Sequence, residues 1–281
     1  MADAPTAAPV TPPTLVGAAR RVFDLSFGEM LWSRRTIFMA LVVAGPVLLA
    51  LIFRVVESLG MPALRVNGAR VAGSSIFGVM IWMLYIRFIV PVLGVFYGTA
   101  LMADEVEDRT LTYLFTRPIP RGAVLLGKYL AYLACTTLVV LPSVMLSYFL
   151  VVPFAEVGAT FRSLVFDLAI LALGLAVYGA VFAFVGTWLR RPLVVGLVFA
   201  FGWEQVAMAL PGYLRQFTVA HYLQALVPHA LPSDNALSLL QSMFRQAPPA
   251  TRAIAWLLVI LGAFLGLAMY LVARREYVLE Q

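Results

Sequence analysis

Between two long apolar runs lies DEVEDRTLTYLFTRPIPR, residues 104–121, which holds four of the chain's fourteen acidic residues and three of its twenty basic ones. Asp104 fits a helix cap, and Glu107, three residues on, fits the reciprocal partner of a capping box, with the early carboxylates at the positive end of the helix dipole. Helical spacing over 104–115 sets Leu111, Leu114 and Phe115 on one face and Glu105, Arg109 and Thr112 on another. Pro118 and Pro120 stop the helix and carry Arg117 and Arg121 tightly into the next run. The segment belongs in water, and its chemistry is that of a docking surface for a soluble partner.

Two other ionisable residues stand inside apolar runs. Arg87 and Glu204 each fall near the middle of a candidate span, counting about 1.5 Å per residue from its edges, where a charge needs a partner or a wet cavity. A long arginine reaches across to such a carboxylate, so an Arg87–Glu204 pair is expected. It either locks the helices together or lines a path through them.

Other motifs carry less. GAVLLGK, residues 122–128, fits most of the phosphate-loop pattern, but Tyr129 stands where the pattern needs a Ser or Thr to reach Mg²⁺, and no buried strand precedes it. Cys135 is the chain's one cysteine and sits within an apolar run as a small core residue. Met80, Met83 and Trp82 read as packing, and His221 and His229 lie in separate proline-bounded pieces, so no metal site is expected. No Ser–His or Cys–His arrangement supports a hydrolase, and no catalytic residue is assigned.

The elements that must hold these residues follow from composition. Sixty-two per cent of 281 residues are hydrophobic, 12% are charged and the mean hydropathy is +0.93, far outside the soluble range. A bilayer core about 30 Å thick takes roughly 20 apolar residues per helix. Six runs qualify: 36–56, 76–102, 123–152, 164–189, 193–210 and 253–273, the third carrying a possible kink at Pro142. They are continuous rather than alternating, which excludes a barrel and predicts an all-α membrane protein of six transmembrane helices.

With the N-terminus inside, twelve of the twenty Lys and Arg residues fall on the inner side and seven on the outer, with Arg87 within a span. Both termini are therefore expected in the cytoplasm, in a multi-pass arrangement. The net charge of +6 is spread over these boundaries without a basic stripe, so no nucleic-acid partner is expected. Residues 1–19 lack the basic region of a cleavable signal, and the first span is expected to remain as an anchor.

Residues 1–13, with four prolines, are expected to form a disordered tail. Over 14–35, Ala19, Val22, Phe23, Ser26, Phe27, Met30 and Leu31 recur at helical spacing, while Arg20, Arg21, Asp24 and Arg35 lie mainly elsewhere around the axis. That pattern predicts an amphipathic interfacial helix on the inner leaflet, in contact with membrane lipid, although a simple extension of the first span has the same composition. The loop at 57–75 should be short and external. Residues 211–252 contain two apolar pieces, Val219 to Val227 and Ala236 to Phe244, read as re-entrant outer helices before the last span. Residues 274–281 form a cytoplasmic tail. Ala172, Ala176 and Ala180, and Gly262-x-x-x-Gly266, permit close helix approach within this chain or from a second one.

The order of the residues around the charged segment resembles type-2 ABC transporter permeases, the ABC-2 family. The match is carried by Glu105 and Glu107, Thr110–Leu111, Leu114–Phe115, Arg117–Pro118, Arg121 and Gly127–Lys128. Arg109 stands where the family usually has Gly. The layout of interfacial helix, six spans over 36–273 and a re-entrant pair is similar along nearly the whole chain.

The resemblance implies an exporter permease that pairs with a second permease, identical or homologous, and with two copies of a separate ATP-binding subunit. Segment 103–122 and the N-terminal helix would be the coupling surface, with Glu105, Glu107, Arg109, Leu111, Leu114, Arg117 and Arg121 as contacts. ATP and Mg²⁺ would be held by the partner, with no cofactor in this chain, and the location would be a bacterial or archaeal cell (inner) membrane. An ion-gradient-driven carrier and a non-transporting membrane scaffold are the other classes open to this sequence. The substrate is not legible from it.

Overall fold

Thr14 opens the first helix with an extended backbone and a hydroxyl that accepts from the Gly17 N–H at 3.3 Å, capping α1, Leu15–Leu31. Trp32 and Ser33 break the chain, the Ser33 and Thr36 hydroxyls donate to the freed Met30 carbonyl, and α2 follows as Arg34–Ser58. The first helix is thus separate from the first apolar span. The computed structural model describes residues 14–60, 65–66, 69–70, 73–102, 120–189, 191–209, 213–227 and 248–274. The expected tail at 1–13, all of the expected tail at 274–281 but Arg274, the second outer helix at 236–244 and most of the charged segment lie outside them.

Within the expected external loop, β1 Arg65–Val66 pairs antiparallel with β2 Ala69–Arg70. The other described elements are helical: α3 Gly73–Met102, α4 Arg121–Val151, α5 Phe154–Trp188, α6 from Pro192 to Ala209, a single turn Tyr213–Phe217, α7 Val219–Leu226 and α8 Ala250–Arg274. Five of these, α2, α3, α4, α5 and α8, are long and apolar enough to cross a membrane. The remaining expected span, 193–210, is the shorter α6, whose apolar stretch Pro192–Ala207 is about 24 Å long at about 1.5 Å per residue, less than the roughly 30 Å hydrocarbon core. In the other direction, α5 is longer than the expected 164–189. It begins directly after Pro153, because 154–163 winds as three further helical turns despite carrying Glu156 and Arg162.

Two helices depart from α geometry. In α3 the π-wound segments Ile81–Ile89 and Gly94–Gly98 flank Val90–Leu93, and in α6 the segment Val198–Trp203 is π-wound. Pro91 has no N–H with which to bond the carbonyl four residues back, and the wide winding directly before it absorbs that missing bond.

The core lies where α3, α4 and α5 meet. Tyr85, Tyr97, Tyr132, Tyr148 and Tyr178 are its largest buried side chains together with Phe77 and Phe182. Small residues let α3 and α5 touch: a Cβ at Gly98 would lie 2.9 Å from Phe182 Cβ, and one at Gly186 would lie 2.5 Å from the Thr99 carbonyl oxygen. The small-residue face of α5 is thus covered from within this chain, whereas Gly262 and Gly266 on α8 have nothing within 4 Å.

Tyrosine hydroxyls then tie α4 to α5 and α3 without charge. Tyr129 donates to the Ala176 carbonyl at 2.7 Å, Tyr132 to that of Leu175 at 2.9 Å, and the Tyr85 hydroxyl lies 3.1 Å from both Ser143 and Ser147 Oγ. Tyr132→Phe is expected to cost about 1 kcal/mol, the net worth of one such bond. A lowered midpoint of thermal unfolding in detergent reads that loss, and an unchanged midpoint would show that the hydroxyl contributes nothing.

Candidate functional site

The π segments of α3 and α6 run antiparallel beside each other. Gly196 seats against Val95, the Phe88 and Phe201 rings lie 5.9 Å apart, and Arg87 then meets α6 one turn further on. There Arg87 Nε donates to Gln205 Oε1 at 2.7 Å, with the guanidinium also 5.8 Å from the Trp82 ring centre. Among the described residues no direct ion pair joins Arg87 to Glu204; the bonded partner of the guanidinium is Gln205, the next residue along.

Glu204 faces the other way, into the bundle, and is buried. Its Oε2 accepts from the Tyr178 hydroxyl at 2.5 Å and its Oε1 from the Val219 N–H at 3.3 Å. Val219 is the first residue of α7, so the carboxyl satisfies an amide that the helix itself leaves unpaired. Thr218 caps the same end, its hydroxyl accepting from the His221 N–H at 3.4 Å. One acidic side chain on α6 therefore fixes α7 against α5, in a region from which water is largely excluded.

Gln205, Tyr178 and Val219 were missed from sequence. Gln205 is adjacent to a residue that was found, but choosing between them requires the helical phase. Each extra residue in a π turn rotates everything beyond it by about 100° relative to α bookkeeping, and Val198–Trp203 stands immediately before both. The Val219 link joins residues fifteen apart and has no sequence signal.

The second region is the N-terminal end of α4. Of the seven expected contacts, Glu105, Glu107, Arg109, Leu111, Leu114 and Arg117 lie outside the described residues, and Arg121 is the first, half-buried residue of α4. What is described is the seat for α1. Ala18 and Ala19 pack on Ala123 and Leu126, and a Cβ at Gly127 would lie 2.5 Å from the Ala19 carbonyl oxygen and 2.8 Å from Val22 Cβ. Two turns on, Cys135 Sγ reaches the Phe27 carbonyl at 3.9 Å.

The face of α1 that the periodicity marked as apolar is thus largely covered by α4, while Arg20, Arg21, Asp24 and Glu29 stay exposed. Residues 122–128 are helical throughout, so no loop is present there to cradle a phosphate. Gly127 instead permits two backbones to touch.

A comparison with curated proteins finds no match. The model of the family described as ABC-2 family transporter protein matches residues 21–277, from within α1 to beyond the end of α8, and so takes in both regions. With five helices able to cross a bilayer and a match of that extent, the chain is a multi-pass membrane permease belonging to the ABC-2 transporter family, whose partners are ATP-binding subunits.

Proposed function

We propose that this permease works in an ATP-driven exporter, as a dimer with an identical or homologous permease and two copies of an ATP-binding subunit that holds the ATP and Mg²⁺. Segment 103–122 and α1 form the coupling surface, with Glu105, Glu107, Arg109, Leu111, Leu114, Arg117 and Arg121 as contacts. α6 acts as the sixth span, α7 lies in the outer leaflet, and both termini face the cytoplasm of a bacterial or archaeal cell.

The observation that supports this reading best is the seating of α1 on α4 at Gly127, six residues after the charged segment ends at Arg121. A surface helix packed on the inner end of a span is mechanically joined to it, so displacement of either is delivered to the bundle core. α1 also exposes Arg20, Arg21, Asp24 and Glu29, suited to the aqueous side of such a joint.

Co-purification from native membranes tests it. An ATP-hydrolysing subunit is expected to elute with the wild-type chain, and Glu107→Ala or Arg109→Ala to weaken that association by about tenfold, the loss of one charge-assisted contact. Absence of any associated ATPase, with transport persisting on an ion gradient alone, would overturn the reading in favour of a secondary carrier.

A further inference from the structure

Arg87 is half-buried, and of its five N–H donors only Nε is engaged: among the described residues the two Nη groups have no hydrogen-bond partner. It lies midway along the 30-residue α3, about 20 Å from either end at about 1.5 Å per residue. A guanidinium with open donors at that depth cannot face hydrocarbon, so its open side looks into a polar space. The surface around it is apolar and exposed: Met83 is 50% exposed, Phe88 46% and Phe201 39%.

The described acidic residues of a second copy do not supply the missing anion. Of its fourteen acidic residues only Asp167 and Glu204 fall inside the described apolar helices away from their ends, and both are buried. Among the described residues, therefore, nothing supplies the acceptor that Arg87 is built to meet.

From this juxtaposition we infer that the α3–α6 face is a ligand-binding site for an anionic amphiphile, whose phosphate or carboxylate head takes the two Nη groups of Arg87. Its apolar body lies along Met83, Phe88 and Phe201. Gln205 is a positioning residue that holds the guanidinium fork toward the open side, as a bidentate anion contact requires. The inference rests on the permease reading and names the class of cargo that such a path would take.

The test uses the purified full-length chain in a neutral maltoside detergent, without nucleotide or partner, and labelled dodecyl phosphate as probe. Saturable binding is expected, displaced by unlabelled dodecyl phosphate but not comparably by dodecyltrimethylammonium or by inorganic phosphate. Arg87→Gln should weaken it about tenfold or more, the worth of a charge-assisted pair, with Arg87→Lys between the two.

Should Arg87→Gln fail to fold, Gln205→Glu decides. It leaves Arg87 in place but neutralises it with an adjacent carboxylate, and should weaken the probe similarly. Unchanged binding in the folded variants, or equal displacement by the cationic or tail-less competitor, overturns the inference.

Repeating the measurement in nanodiscs of phosphatidylcholine and of phosphatidylglycerol identifies the source. Competition by the anionic lipid makes the occupant a bilayer lipid, its absence a separate cargo, and the site stands in either case. Because no ATPase enters the assay, loss of this binding leaves the coupled-permease reading intact. Loss of ATPase association likewise leaves this site intact.

Discussion

Replacing Glu204 with Leu is expected to destabilise the folded chain by about 2–6 kcal/mol, because two buried donors lose their acceptor at about 1–3 kcal/mol each. The donors are the Tyr178 hydroxyl and the Val219 N–H. Water, which rescues many surface deletions, does not reach them easily: Glu204, Tyr178 and Val219 are all buried. Glu204→Gln should cost far less, since its amide oxygen accepts from one donor and its NH₂ can be received by the Tyr178 oxygen. Adding Tyr178→Phe to Glu204→Leu should recover the hydroxyl's share and leave that of Val219, a non-additivity that a double-mutant cycle measures. The readout is thermal unfolding in detergent for the wild type, Glu204→Leu, Glu204→Gln, Tyr178→Phe and the double variant. A leucine variant as stable as wild type would show that α7 is held by its apolar contacts alone.

The same geometry divides the two charges found within the spans. Glu204 is turned inward and its capacity is used by Tyr178 and Val219, so it serves as a lock between α5, α6 and α7. Arg87 is turned to the outside of that lock and keeps donors in reserve. The sequence offered one pair with two possible roles, and on the proposed reading each residue takes one of them. Substitutions at Glu204 should therefore move stability, while substitutions at Arg87 should move binding.

What was legible from sequence, and what was not, follows from the range of the interactions involved. Long apolar runs announce spans because the bilayer sets one length scale, and α2, α3, α4 and α8 begin and end within a few residues of expectation. The surface periodicity of α1 is equally local. The extension of α5 to Phe154 was hidden because its first turns are polar enough to read as loop. The polar cluster was half legible. A charge inside a span stands out from its neighbours, but its partner is chosen by helical phase, and the π turns of α3 and α6 displace that phase. Gly127 shows the same limit: Gly–Lys in the sequence suggests a phosphate loop or a family motif, and only the tertiary fold reveals Ala19 pressed against it.

Gly127→Val is expected to separate ATP hydrolysis from transport. The new Cβ would lie 2.5 Å from the Ala19 carbonyl oxygen, and because that neighbour is backbone, α1 as a whole must lift from α4. Overpacking of this kind costs typically about 1–3 kcal/mol, enough to unseat a surface helix while leaving untouched the core built by α3, α4 and α5. Cys135 reports the event, since it is the chain's one cysteine, is buried, and lies beneath Phe27 of α1. In the valine variant a membrane-permeant maleimide should label Cys135 about tenfold faster, as expected for roughly 1.4 kcal/mol of lost protection. Partner ATPase activity should persist while transport falls in proportion to the unseated fraction. Gly28→Ala is the control on the same helix: a Cβ there meets nothing within 4 Å, and alanine suits a helix better than glycine. If Gly127→Val left both Cys135 protection and transport at wild-type levels, α1 could not be the element that carries motion into α4, and coupling would have to run through the charged segment alone.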